Sequence, residues 1–499
     1  MKRQKKVEEI QKWIDAKMPE LMDDFFTILR IRSVAEPKTL NPIFGEGCAK
    51  VLNKMLSIGE GYGFSMHNFD GYVGKITWKG TQETSETSEG LEGSKNPEKQ
   101  KKREEIGMWA HLDVVDDCDG RGYTWEYPPY EPTMIEGGVV ARGSQDNKSS
   151  AIMALYVLRY LQEHKIQTKR DISLYCGTCE EQGMFDLDYF TAHYPCPDLS
   201  LVPDAGFPIC QGERGSFNGE LASLEDLDEE ILLLEADSGL YMIPEKAVIK
   251  LAYSKEKAQK LETLPERITV EQAENTITIT YTGVSSHAAN PYGGVDALKG
   301  LVDFLFERKL LSEKATALLS LVKELNKDYH AQALGLNCSD ELSGPIILAV
   351  TQAKIVDRKL VLSFISKYPV SQTGETFETT ASEAAEKRGY RLKVTRYSKP
   401  ISYPSAHPAL SLLTEVYSDI SGETARPYIM SGGTYARKLP NAFAYGAGIP
   451  EQWPPKGVFL PGHGDFHQPD ESVSIKRIKM ALLVYICSIC ELDELDCLG

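Results

Sequence analysis

Apolar residues recur at steps of three and four through Val7, Ile10, Ile14, Met18, Leu21, Phe25 and Ile28, which predicts an amphipathic helix near the start of the chain. From Gly80 to Glu105 apolar positions almost vanish, and this polar stretch reads as a long solvated loop. Strand and helix patterns then alternate. Ile106–Val115 reads as a strand, and Asn147–His164 as a helix with Ile152, Leu155, Leu158 and Leu161 on one face. Asp171–Gly177 and Leu199–Val202 read as further strands, the second ended by Pro203. This alternation predicts an α/β domain with a mainly parallel sheet.

The pattern changes after about Gly215. Thr and Ile alternate over Thr276–Thr282, as in a half-exposed strand. Helical patterns follow around Asp296–Glu307 and Glu313–Leu325, then strand patterns at Lys359–Phe364 and Tyr390–Arg396. These predict a second, α+β domain over 215–400. From about 401 the chain returns to helix and loop. It ends in a helix with Ile475, Ile478, Leu482, Tyr485, Ile486 and Ile489 on its apolar face.

Composition narrows the class. The 499 residues, 42% hydrophobic and 25% charged, suit a globular chain of two to four domains. A net charge of -17 argues against nucleic acid as a partner, which needs a positive footprint. No apolar run is long enough to span a membrane. The basic start MKRQKK leads into Glu8 and Glu9 rather than an apolar core, so no secretory signal is expected and a cytoplasmic setting is. The pairs Cys176/Cys179 and Cys487/Cys490 have CxxC spacing, but the first overlaps a strand pattern and the second a helix pattern. Neither suits a structural zinc knuckle.

Polar residues of one kind sit in or just after the apolar runs of the first domain: His111 in WAHLDVV, Asp146 in RGSQDNKSS, Glu180 and Glu181 in GTCEEQG, and Asp204 in VPDAGFP. Sites in open parallel sheets form beyond the carboxyl ends of the strands. Four successive strand exits would deliver one imidazole and four carboxylates to one edge. Such crowding of acids calls for cations, and imidazole with carboxylate suits zinc, manganese or cobalt. Taken singly, each residue also has an ordinary reading: a structural histidine, a solvated acidic pair, a helix cap at Asp146, a turn residue at Asp204.

The run of motifs HLDVV, RGSQDNK, EEQG, PDAGFP with QGERG, GVSSHAANP, SGGTYAR and HQPDE resembles, in order, the M20 family of metallopeptidases, and within it the PepV-like dipeptidase branch. The resemblance implies a catalytic α/β domain over 1–214 and 401–499, interrupted by a lid domain over 215–400. It implies two divalent metal ions, zinc first, with manganese or cobalt as alternatives. His111, Asp146, Glu181, Asp204 and His467 are implied as ligands, Asp146 bridging the two ions. His463, four residues earlier, competes with His467, but only His467 precedes the Gln-Pro-Asp-Glu471 run. Asp113 is implied to orient the His111 ring, Glu180 to act as general base and His287 to stabilise the developing oxyanion. The glycines Gly432 and Gly433 are implied to present backbone N–H groups to the substrate carboxylate.

The sequence departs from the family pattern in three places. Cys179 precedes Glu180 where the family has Asp or Asn, Ser149 replaces a glycine, and Lys367 stands where the family has arginine. Lysine lacks the bidentate fork of arginine, so carboxylate binding at Lys367 differs from the family's. The expected activity is hydrolysis of the amide bond in dipeptides or short peptides, by a monomer or homodimer. The alternatives are an M20 amidohydrolase acting on N-acyl or N-succinyl amino acids and, from another class, a non-catalytic metal-binding regulatory protein. No G-x-S-x-G or G-x-x-x-x-G-K-[ST] motif supports a serine hydrolase or an ATPase.

Overall fold

The computed structural model describes residues 2–81, 103–117, 124–460 and 462–499, with side chains from residue 5 onward. The polar stretch expected as a loop falls mostly on 82–102 and lies outside the described residues. The chain folds into two compact units. One comprises Met1–Gln211, Tyr403–Tyr428 and Gly433–Gly499; the other comprises Gly212–Ser402 and Ile429–Gly432.

The first unit is built on a six-stranded sheet in the spatial order Ser65–Phe69, Val73–Trp78, Asp171–Gly177, Glu105–His111, Leu199–Val202, Ala442–Ala444. Its last four strands run parallel to one another, and Val73–Trp78 pairs antiparallel on both sides. The α/β class with a mainly parallel sheet is therefore the architecture adopted. Glu105–His111 is buried at every position, as a strand covered on both faces must be. The helix Lys148–Glu163 is buried from Lys148 through Leu161 and packs on this sheet. It also packs against Lys2–Leu29 and Ile475–Leu492, whose apolar stripes complete one core.

Asp171–Gly177 and Leu199–Val202 form the strands expected, residue for residue. The strand expected over Ile106–Val115 stops at His111 instead. His111 pairs with Gly177, the last residue of its neighbour, and beyond it there is no strand to continue the ladder. A separate three-stranded sheet joins Thr133–Ile135, Gly138–Val140 and Ser472–Ser474, all antiparallel.

The second unit is an eight-stranded, fully antiparallel sheet. Helices Ala297–Glu307, Glu313–Leu325 and Phe377–Glu386 contribute to its core. In Thr276–Thr282 the alternate residues Ile277 and Ile279 are fully buried, which explains the Thr/Ile pattern. Asp296 and Ser312 cap the first two helices by accepting the Lys299 and Ala315 N–H groups. The strands Gly215–Ser223, Ile231–Asp237, Lys246–Ala252 and Ile347–Val356 were not among the expected elements. Among the described residues no helix is long and apolar enough to cross a membrane.

Candidate metal centre

Three neighbouring parallel strands end on the same side. His111 is the last residue of its strand, Glu180 and Glu181 follow Gly177 by three and four residues, and Asp204 follows Val202 by two. Asp146 arrives by another route, which corrects the expectation of four exits from one sheet. It lies in the loop after Gly138–Val140, a strand of the small sheet, just before the helix Lys148–Glu163. Gly138–Val140 pairs with Ser472–Ser474, so the small sheet fixes the Asp146 loop beside the C-terminal segment that carries His467. The Ala141 N–H donates to the Glu471 carbonyl at 2.9 Å and continues that alignment.

The geometry forms two donor triads that share one residue. His111, Asp146 and Asp204 offer ligand atoms within 4.8 Å of one another, and so do Asp146, Glu181 and His467. His111 Nε2 lies 3.0 Å from Asp146 Oδ1 and 3.9 Å from Asp204 Oδ2. His467 Nε2 lies 3.1 Å from the other Asp146 oxygen and 3.2 Å from Glu181 Oε1. Each oxygen of Asp146 thus faces a different imidazole. His463 is turned elsewhere, with Nδ1 hydrogen-bonded to Asp470. His467 has φ +60°, a left-handed backbone that histidine adopts more readily than most residues.

Buried neighbours hold these donors. His111 Nδ1–H donates to the backbone carbonyl of Asp113 at 2.9 Å, and the Asp113 carboxylate lies 3.5 Å from the same nitrogen. That carboxylate accepts the Glu180 and Glu181 N–H groups, one on each oxygen, both at 3.1 Å. Asn147 donates to Asp204 Oδ1 at 2.9 Å and to the Pro203 carbonyl at 2.8 Å. Glu471 accepts four bonds, from Arg142 and the N–H of Gly143 on one oxygen and from the N–H groups of Gln145 and Asp146 on the other. Glu471 and Arg142 are both fully buried. Lys148, also fully buried, donates to the carbonyls of Ile28 and Ile31, and burial lowers its pKa to about 7.

The electrostatics are those of acids crowded out of water. Burial raises the carboxyl pKa of Glu180 and Asp204 well above the usual range, with neighbouring carboxylates adding to the effect. Glu181 is raised by burial and by Asp146. Partial burial works against ionisation of Asp146, but hydrogen bonds from His111 and His467 hold it well below the usual value. Burial works against charge on the two imidazoles. Bonds to Asp113 and Asp146 outweigh it at His111, and bonds to Asp146 and Glu181 raise His467 to about 11. The same crowding of carboxylates that favours protons on the imidazoles would favour divalent cations. Oxygen and imidazole donors of this kind fit divalent metal ions. No cysteine joins either triad among the described residues, and the two CxxC pairs lie on a strand end and a helix as expected.

The remaining expected residues are divided between the two units. His287, Lys367 and Gly432 belong to the second unit, and Gly433 to the first. The His287 ring accepts the Ala289 N–H at 3.1 Å, and Lys367 donates to Ser216 at 2.7 Å. Gly432 and Gly433 are exposed. Arg142, Asn147 and Glu471 lie within the quoted motifs, but their supporting role was not evident from the sequence. The one available signal for Arg142 and Glu471 was a charge of each sign within a ligand motif, since their contact spans 329 positions.

The sequence model of peptidase family M20/M25/M40 matches residues 107–490. YtjP of Bacillus subtilis, provisionally named a dipeptidase, is 27% identical over 494 residues, covering 96% of this chain and 98% of its own. A provisionally named dipeptidase of Staphylococcus epidermidis is 24% identical over 490 residues, covering 94% and 96%. The crystal structure of human carnosine dipeptidase 1 aligns over 98% of this chain and 99% of its own, with a TM-score of 0.54 at 12% identity. The dipeptidase Dug1p of Saccharomyces cerevisiae gives the same coverage and TM-score at 11% identity. The two structures share the fold. The family match spans the greater part of the chain, including all five candidate ligands, and the chain belongs to peptidase family M20/M25/M40.

Proposed function

We propose that this M20 enzyme is a dinuclear metal dipeptidase of the PepV-like branch, hydrolysing dipeptides or short peptides. The observation that carries the reading is the pair of triads sharing Asp146, with the half-buried Glu180 beside them. His111, Asp146 and Asp204 would hold one divalent ion, and Asp146, Glu181 and His467 the other; zinc is preferred, with manganese or cobalt possible by the same donor chemistry. When bound, such ions polarise a carbonyl and make water acidic enough to attack near neutral pH.

The chain's own residues supply the rest. Glu180, a carboxyl with a raised pKa, accepts the proton of the attacking water and returns it to the leaving amine. Asp113 orients the His111 ring and fixes the Glu180 backbone. The resemblance assigns His287 to the oxyanion, and Lys367 with the Gly432–Gly433 backbone to the substrate carboxylate. It also makes the second unit the lid inserted in the catalytic domain. A cytoplasmic setting and a monomer or homodimer complete the reading. Lys367, in place of the family's arginine, favours a second reading, an N-acyl amino-acid amidohydrolase with the same metal site. Turnover of a panel of dipeptides and N-acyl amino acids, by chelator-stripped protein with zinc, manganese or cobalt added back, tests both. Dipeptide hydrolysis restored by metal supports the first reading. Restoration confined to N-acyl amino acids selects the second.

A further inference from the structure

The turn that carries Glu180 is held by two carboxylates, and only one of them belongs to the site described above. The strand Asp171–Gly177 ends at Gly177, and four consecutive backbone N–H groups follow. Glu180 and Glu181 donate to Asp113. Thr178 and Cys179 donate to one oxygen of Asp186, at 2.7 and 2.9 Å. The Tyr435 hydroxyl donates to the same oxygen, and the second oxygen accepts the Leu187 N–H at 2.8 Å. Asp186 is fully buried and Tyr435 is 1% exposed.

This junction has no slack. A β-carbon on Gly177 would lie 1.9 Å from the Tyr435 hydroxyl and 2.5 Å from Asp186 Oδ2, so only glycine lets the strand end this close. The Tyr435 ring also stands edge-on to the His111 imidazole, with centroids 6.3 Å apart and planes at 82°. Tyr435 follows Gly433 by two residues, in the segment SGGTYAR. One carboxylate oxygen therefore ties together the Glu180 turn, the His111 ring through Tyr435, and the segment after Gly433.

We propose that Asp186 is a positioning residue for Glu180, and that the Tyr435 hydroxyl couples it to the glycine-rich segment, so that the base is aimed by contacts outside the metal centre. The inference rests on the reading of Glu180 as general base. A charge-assisted hydrogen bond that sets the aim of a catalytic group acts on the chemical step more than on substrate binding.

The test is a double-mutant cycle on the metal-loaded, full-length protein. Tyr435→Phe keeps the ring and its packing and removes only the donor. It should lower kcat about tenfold, the scale of one such bond, with KM within about twofold and metal content unchanged. In a Glu180→Gln background the same substitution should lower kcat by less than about twofold, because the group it aims is already gone. Asp186→Asn, which loses the charge and sets an amide N–H against the Leu187 N–H, should show the same dependence on background with a larger effect. An equal loss in both backgrounds, or no loss from Tyr435→Phe in the native background, overturns the proposal. Full turnover in Glu180→Gln alone overturns the base assignment instead, and it is read from a different arm of the cycle.

Discussion

The carboxylate of Asp113 accepts the backbone N–H of Glu180 at 3.1 Å, while the backbone carbonyl of Asp113, at 2.9 Å, accepts the His111 Nδ1–H. One fully buried residue thus fixes the His111 imidazole with its main chain and the Glu180 turn with its side chain. Asp113→Asn keeps the carbonyl and removes one acceptor for the Glu180–Glu181 turn. Activity should fall by about 10–100-fold, as for other residues that support metal ligands, and metal content should fall less. Side-by-side kcat and metal analysis checks this. A loss of metal in full proportion to activity would place the effect on His111 instead.

Glu180→Gln should lower kcat by about 10²–10⁴ while both metals stay bound, because the amide cannot take a proton from water. The side chain is not in either donor triad. Turnover close to native in the metal-loaded variant would assign the base elsewhere.

The metal-free protein should lose stability as pH rises, and metal should reverse the trend. Bonds to Asp146 and Glu181 push the half-exposed His467 ring up to about 11 in the folded chain, against about 6.5 unfolded. Its contribution is therefore fully present below about pH 6.5 and is lost as pH climbs towards that folded value. Glu181 and Asp204 are raised too, so their protonated forms also favour the fold at low pH and the benefit goes as they ionise. Metal competes with these same protons, so metal affinity and activity rise with pH and fall on acidification. Thermal melts of stripped and loaded protein between pH 6 and 9 should show opposite slopes. Titration calorimetry in buffers of different ionisation enthalpy should show proton release on metal binding. Binding without proton release would contradict the charge state derived for the two histidines.

Much of the fold was legible because local pattern and tertiary outcome agree. Asp171–Gly177 and Leu199–Val202 are short apolar runs buried on both faces, and nothing outside them alters their ends. The expected strand from Ile106 overran its true end by four residues, from His111 to Val115, because its length depends on a partner that stops at Gly177. The small sheet that places Asp146 near His467 is made of three-residue strands, too short to carry a period. Its importance comes from a pairing between segments far apart in sequence, which no local pattern encodes. His111, Asp146, Glu181 and Asp204 stood out at the ends of apolar runs, and His467 only through the order of motifs. The grip of Glu471 on the Asp146 loop, and of Asp186 on the Glu180 turn, required coordinates.

Glu471 and Arg142 form a fully buried pair at 2.8 Å, and Glu471 also carries three backbone N–H groups. Glu471→Ala would leave the guanidinium unpaired without solvent, which costs about 3–5 kcal/mol. Urea unfolding of the metal-free first unit's transition should show a loss of this order. A loss under about 1 kcal/mol would mean that water reaches Arg142, at variance with its burial.

Two donor triads that share Asp146, and would hold two ions, are the core of the proposed mechanism, and metal stoichiometry coupled to turnover tests it most directly. Elemental analysis of the loaded protein should find two ions per chain, with dipeptide hydrolysis lost on chelation and restored by zinc, manganese or cobalt. Asp146→Ala, which removes a donor from both triads, should retain neither ion tightly and should not be restored. Undiminished turnover after chelation, or an Asp146→Ala protein that keeps both ions and its activity, would contradict the account.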